Sequence, residues 1–175
     1  VSAEQGLQNA GRFIKEAGAD AVETEGGRER VDLVRALVGN GIPVLGHIGL
    51  TPQSIHTLGG YRVQGRQAPE AERLIEDARA LDEAGVFALV LECLPTALAA
   101  EITEAIQAPT IGIGAGSQCD GQVLVMHDLL GLYGEFKPRF VKRYAELGQA
   151  AREAFSAYRA EVESGQFPDA DHSYE

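Results

Sequence analysis

Apolar positions along this chain follow two alternating rhythms. Leu7, Ala10, Ile14 and Ala17 fall three or four apart, the spacing of one helix face. Ser2-Ala3-Glu4-Gln5 in front of them has the form of a capping box, and Gly18 predicts the stop. Residues 20–25 then read as a short strand, broken by Gly26-Gly27. Val31, Val34, Leu37 and Val38 predict a second helix ending at Gly39-Asn40-Gly41, and residues 42–47 predict the next strand. A long polar, glycine-rich connection runs through Gly59-Gly60-Tyr61 to about Ala68; connections this long are uncommon in compact domains and often functional. Leu74, Ile75, Ala78 and Leu81 mark a third helix, closed by Gly85. Residues 86–92 are almost continuously apolar, as in a strand buried on both faces of a parallel sheet. Leu98, Ile102 and Ile106 mark a fourth helix, residues 109–113 a strand, and residues 122–126 either a strand or a short helix. From Pro138 to about Gly165, Phe140, Tyr144, Leu147, Ala151, Phe155, Tyr158 and Val162 step by three or four, which predicts a packed amphipathic helix or helix pair. The remaining residues, from Phe167-Pro168 on, read as a polar tail.

Strands that alternate with helices imply parallel βαβ units. Either a doubly wound sheet or part of a β/α barrel satisfies the pattern, and the first helix has no strand before it. With 175 residues, 45% of them hydrophobic, the chain is long enough for one domain over 1–175. It falls short of the roughly 250 residues usual for a complete (β/α)8 barrel. Twenty-six Asp and Glu against fifteen Lys and Arg give a net charge of −11, which works against nonspecific nucleic-acid binding. No apolar run approaches a membrane span, and no signal peptide stands at the start. Cys93 and Cys119 form no C-x-x-C motif, and a cytoplasmic location is expected.

In parallel α/β folds the chemistry collects at the carboxyl ends of the strands. Three strands here end in ionisable groups: Glu23 and Glu25, then His47, then Glu92. Desolvating an unpaired carboxylate is costly, so such ends imply water, a metal or a substrate. A carboxylate held in a partly apolar pocket becomes a competent general base, and Glu92, closing the apolar run, is the candidate. Glu25 could hold a hard divalent cation through oxygen, and His47 could donate or accept a hydrogen bond. His56, His127 and His172 stand alone in the sequence and read as structural, and Cys93 reads as a core residue. Residues 112–116 spell G-x-G-x-G without the Gly-Lys-Ser/Thr of a P-loop, which suggests a tight turn or close approach to a ligand rather than a dinucleotide fingerprint.

These residues fall within longer phrases. Gly46-His47-Ile48-Gly49-Leu50-Thr51-Pro52-Gln53-Ser54 and Gly59-Gly60-Tyr61-Arg62-Val63-Gln64-Gly65-Arg66 are followed in order by Leu89-Val90-Leu91-Glu92-Cys93, Ile111-Gly112-Ile113-Gly114-Ala115-Gly116 and Asp120-Gly121-Gln122. Together with the ending Gly165-Gln166-Phe167-Pro168, they resemble the ketopantoate hydroxymethyltransferase family across essentially the whole chain. The resemblance implies a (β/α)8 TIM barrel, here lacking about its first three strands, in a cytoplasmic homo-oligomer, a decamer in the family. It implies transfer of a hydroxymethyl group from 5,10-methylenetetrahydrofolate to the keto acid 3-methyl-2-oxobutanoate, giving 2-dehydropantoate in pantothenate biosynthesis, with Mg2+ bound. It makes Glu92 the catalytic base, Glu25 a metal ligand and His47 a substrate-binding residue. Two departures stand out. Glu23 occupies the position of a family lysine that binds substrate, and the first strands of the family carry two aspartates of the metal site. The alternative is a non-catalytic, degenerate or truncated paralogue that acts through assembly with related barrels, and the 175 residues alone are expected to lack turnover.

Overall fold

The computed structural model describes residues 2–57, 59–134 and 137–174. Helix α1 (Ala3–Ala17) starts as the capping box predicts: the backbone N–H of Gln5 donates to Ser2 Oγ at 3.2 Å. Gly18 ends it at φ 70°, a left-handed conformation that costs glycine nothing. Strands β1 (Val22–Glu25), β2 (Val44–Gly49), β3 (Ala88–Glu92), β4 (Thr110–Ile113) and β5 (Gly121–Gln122) follow. They alternate with helices α2 (Val31–Gly39), α3 (Ala68–Ala84) and α4 (Thr96–Ala105). All five strands pair in parallel, in the order β1-β2-β3-β4-β5.

That order decides between the two folds open to the sequence. A doubly wound sheet reverses its strand order at a switch point. Here each strand adds beside the last, and α1 packs on α2, α2 on α3, and α3 on α4. Sequential addition of this kind is what a β/α-barrel family member shows. The core lies between sheet and helices, where Val44, Ile48, Leu89 and Leu91 meet Val34, Leu37, Leu74, Leu81, Leu98 and Ile102. Side chains alternate along a strand. With Val22, Val44 and Leu89 toward the helices, Glu23, Glu25, His47, Val90 and Glu92 take the other face. Val90 on that face is buried as well, so β3 is covered on both sides as its apolar run predicts.

Strand limits shift by a few residues from the predicted ones. The N–H of Ile42 closes the turn after α2 by donating to Leu37 O, so β2 begins at Val44 and continues past His47 to Gly49. Residues 122–126 turn out to hold both predicted alternatives, the end of β5 and the start of a short helix α5 (Met126–Leu129).

Backbone packing groups the chain into two compact units, the first ending at Val123 and the second beginning at Leu124. In the second unit the long helix α6 spans Leu147–Ser164, not 138–165. The backbone before it and at its start bonds elsewhere: the N–H groups of Tyr144, Leu147 and Gly148 donate to the carbonyls of Leu129, Leu130 and Gly131 at 2.8, 3.0 and 3.2 Å. Non-local bonds of this kind override helical periodicity. The apolar stripe of α6 is also not packed away as expected; Phe155 is 74% exposed. No described helix is long and apolar enough to cross a membrane.

Candidate active site

Glycines bring the ends of β2 and β3 together. A Cβ on Gly46 would lie 2.8 Å from Leu89 Cδ1. Gly49 has φ 96°, and a Cβ there would collide with the carbonyl oxygen of Glu92. The same carbonyl accepts the N–H of Leu50 at 2.9 Å, while His47 O accepts the N–H of Gly26 at 3.0 Å. In register, Glu25 lies opposite His47 and Gly49 opposite Glu92. The Gly-His-Ile-Gly phrase is therefore a close-approach motif with a histidine set inside it.

The histidine joins two of the predicted carboxylates. His47, only 5% exposed, donates from Nδ1 to Glu23 Oε1 at 2.9 Å. Its Nε2 lies 3.1 Å from Glu92 Oε2, in ion-pair range, but the N–H does not point along the contact and makes no aligned hydrogen bond. Burial pushes the His47 pKa down, yet the contact with Glu92 and the charges of Glu92, Glu23 and Glu25 outweigh it, so the pKa is raised above 6.5. A raised pKa in the folded state stabilises fully below the unfolded value of 6.5, and that contribution is lost as pH climbs through the folded value. The stability lost in His47→Gln should thus be larger near pH 6 than near pH 9, measured as the difference in urea unfolding free energy from the unsubstituted protein. A difference that does not change over that range would contradict it.

Glu25 shares the face but not the cluster. Its Oε2 accepts the N–H of Gln53 at 2.9 Å, and its carbonyl accepts Arg30 Nε at 3.1 Å. Next to it, a Cβ on Gly27 would run into the carboxylate of Asp77, which accepts the N–H of Arg28 at 3.1 Å and Arg28 Nε at 2.8 Å. The Glu-Gly-Gly phrase thus combines a carboxylate with a glycine that lets α3 hold the turn after β1. Among the described residues no group of three or more His, Cys, Asp or Glu side chains is set to hold a metal ion. A hard divalent cation takes six or more oxygen ligands. Glu25 offers one carboxylate, already half engaged, so these residues do not by themselves make a magnesium site.

Residues 1–170 match the family described as Ketopantoate hydroxymethyltransferase. The chain belongs to that family. It is 60% identical to the 3-methyl-2-oxobutanoate hydroxymethyltransferase of Moorella thermoacetica, over 99% of this chain and 65% of that protein. With the protein of the same name from Syntrophomonas wolfei it shares 55% identity, over 99% of this chain and 63% of the relative. The Carboxydothermus hydrogenoformans protein, also of that name, is 60% identical over 96% of this chain and 61% of its own length. The chain thus spans 61–65% of the length of these curated relatives.

In this member of the ketopantoate hydroxymethyltransferase family, several residues of the recognised phrases act as scaffold. Gly114 and Gly116 have φ 66° and 82°, and a Cβ on Gly116 would collide with Thr96 at the start of α4. The G-x-G-x-G segment is accordingly a tight turn pinned against α4. Asp120 Oδ2 accepts the N–H of the fully buried Thr110 at 2.8 Å, which ties the β4–β5 connection. Sequence reasoning does not assign roles to Asp77 or Asp120; lone acidic residues give no sign of such distant backbone partners. Cys93, the residue after Glu92, has φ 51°. Burial, then the charge of Glu92, pushes its thiol up to about 11 from 9.0. Cys93 is half-buried and lies outside the core cluster, so the expectation of a core cysteine is not met. Its reaction with Ellman's reagent should be about 100-fold slower in the folded than in the unfolded protein near neutral pH, since only the thiolate attacks. Equal rates in the two states would refute this.

Proposed function

We propose that the polypeptide containing this chain transfers a hydroxymethyl group from 5,10-methylenetetrahydrofolate to 3-methyl-2-oxobutanoate, giving 2-dehydropantoate in pantothenate biosynthesis. The observation that carries the reading is the Glu23–His47–Glu92 cluster on one face of β1, β2 and β3, with Glu92 at the carboxyl end of β3, in a chain of this family. The five sequential strands would be part of an eight-stranded barrel. Glu92 takes the proton from C3 of the keto acid, and the electron pair moves onto the C2 carbonyl as an enolate. C3 then bonds to the methylene carbon of the folate. That carbon is released from both folate nitrogens, N5 and N10, to which it was bonded; a water supplies the hydroxyl oxygen, and the C3 proton and the one proton that the water gives up end on those two nitrogens, leaving tetrahydrofolate. His47 lies against one oxygen of Glu92, at 3.1 Å, and leaves the other for the proton. Formation of 2-dehydropantoate from these substrates tests the reading; no product above the rate without protein would sink it.

One observation favours the second reading, a non-catalytic chain that acts through assembly with related barrels. Glu23 brings a negative charge to the position where the resemblance places a lysine, facing an anionic substrate. The substitution Glu23→Lys separates the two. If the protein is a transferase, the keto-acid KM should fall about 10-fold, by removal of a like charge and gain of an opposite one. If it is non-catalytic, neither form yields product.

A further inference from the structure

A cleft of about 730 Å3 opens between the connection after β2 and the first turns of α3. Tyr61, Arg62, Gln64, Arg66, Glu70 and Arg73 are among its walls, so three arginines line it against one glutamate. That balance is unusual on a chain of net charge −11. Arg12, Arg28, Arg143 and Arg159 each pair with a carboxylate. Arg66 and Arg73 make no ion pair or hydrogen bond among the described residues. A concave surface lined by one sign of charge focuses the field and collects counter-ions, and guanidinium groups take carboxylates in two-point contacts.

The segment that carries the arginines is held in place. Buried Gln64 donates its backbone N–H to Cys93 O and its side-chain Nε2 to Arg62 O, both at 2.9 Å. Gly65, at φ 72°, is buried where a Cβ would collide with Leu98 and lie 3.0 Å from Leu74. This turn is therefore bonded directly to the residue after Glu92. Tyr61, 73% exposed, adds an aromatic face to the same cleft. An aromatic ring followed by spaced cations matches an aryl amide carrying a chain of carboxylates, which is the chemistry of a folate tail.

We propose that this cleft binds the glutamyl tail of the folate co-substrate, through Arg66 and Arg73. The assignment of the ligand rests on the transferase reading above. Its test begins with a γ-linked pentaglutamate without a pteridine, titrated calorimetrically into the polypeptide. Binding should weaken as salt is raised to about 0.5 M. It should weaken about 10-fold in the double variant Arg66→Gln/Arg73→Gln, through loss of two charge-assisted contacts, and stay unchanged in Arg152→Gln on α6. Both arginines are exposed, so the double variant is expected to fold, which circular dichroism checks. No binding, or equal binding by the double variant, would overturn the cleft. Inorganic phosphate binding as tightly, with the same arginine dependence, would overturn the tail assignment. Pentaglutamate binding without transferase activity would leave an anion cleft standing and remove the folate. Transfer with the same KM for mono- and pentaglutamyl folate, unaffected by the double variant, would remove the cleft and leave the transferase.

Discussion

Replacing Glu92 with Gln is expected to lower hydroxymethyl transfer by about 10³-fold, within the range that a general base contributes. The substitution keeps shape and size but leaves no carboxylate to take the C3 proton. Glu92 ends a strand whose other four residues are buried, so the backbone that positions it should not move. The loss is expected in kcat and in kcat/KM alike, with the keto-acid KM changing less than about 3-fold, since the interaction belongs to the transition state. His47 would respond too: Glu92 raises its pKa, and without that charge the imidazolium is less favoured. Steady-state kinetics on the two proteins decide the matter. A Glu92→Gln variant that retains activity within about tenfold would exclude Glu92 as the base.

A comparable effect on stability is expected at Gly49. An alanine there must adopt φ 96° and place its methyl against a backbone carbonyl that cannot rotate away. Left-handed strain costs about 1–3 kcal/mol and a tight clash a similar amount, so Gly49→Ala should destabilise by roughly 2–5 kcal/mol. Gly11 in α1 is the control. A Cβ there meets nothing within 4 Å, and helical Gly→Ala exchange should stabilise by about 0.5–1 kcal/mol. Urea unfolding of both variants measures the contrast. A loss below about 0.5 kcal/mol at Gly49 would mean that β2 and β3 do not approach as closely as described.

Much of this site is legible in the sequence. His47 and Glu92 close their runs, and Glu23 stands with Glu25 in the short run that Gly26-Gly27 breaks; that contrast selects them. Period-two alternation also puts Glu23 and Glu25 on one face without further information. Their pairing is not legible. Glu23 and His47 are joined across 24 positions, and only the sheet register decides which strand ends meet. The charge at position 23 reads from sequence as repulsion toward substrate; the structure adds that the same carboxylate holds Nδ1 of His47. Residues 138–146 mislead because periodicity sees side chains alone, while the backbone of Tyr144 is bonded to the end of α5. The strand order is open in the sequence for a related reason. Parallel alternation fits two folds, and only strand neighbours distinguish them.

The most direct test of the central claim needs only the keto acid and no folate. Proton NMR in heavy water follows exchange of the C3 hydrogen of 3-methyl-2-oxobutanoate with solvent. With the polypeptide containing these residues, the C3 signal should decay well above the buffer rate, and Glu92→Gln should return it to that rate. No exchange above buffer, or equal exchange by the variant, would contradict proton abstraction by Glu92 at the ends of these strands.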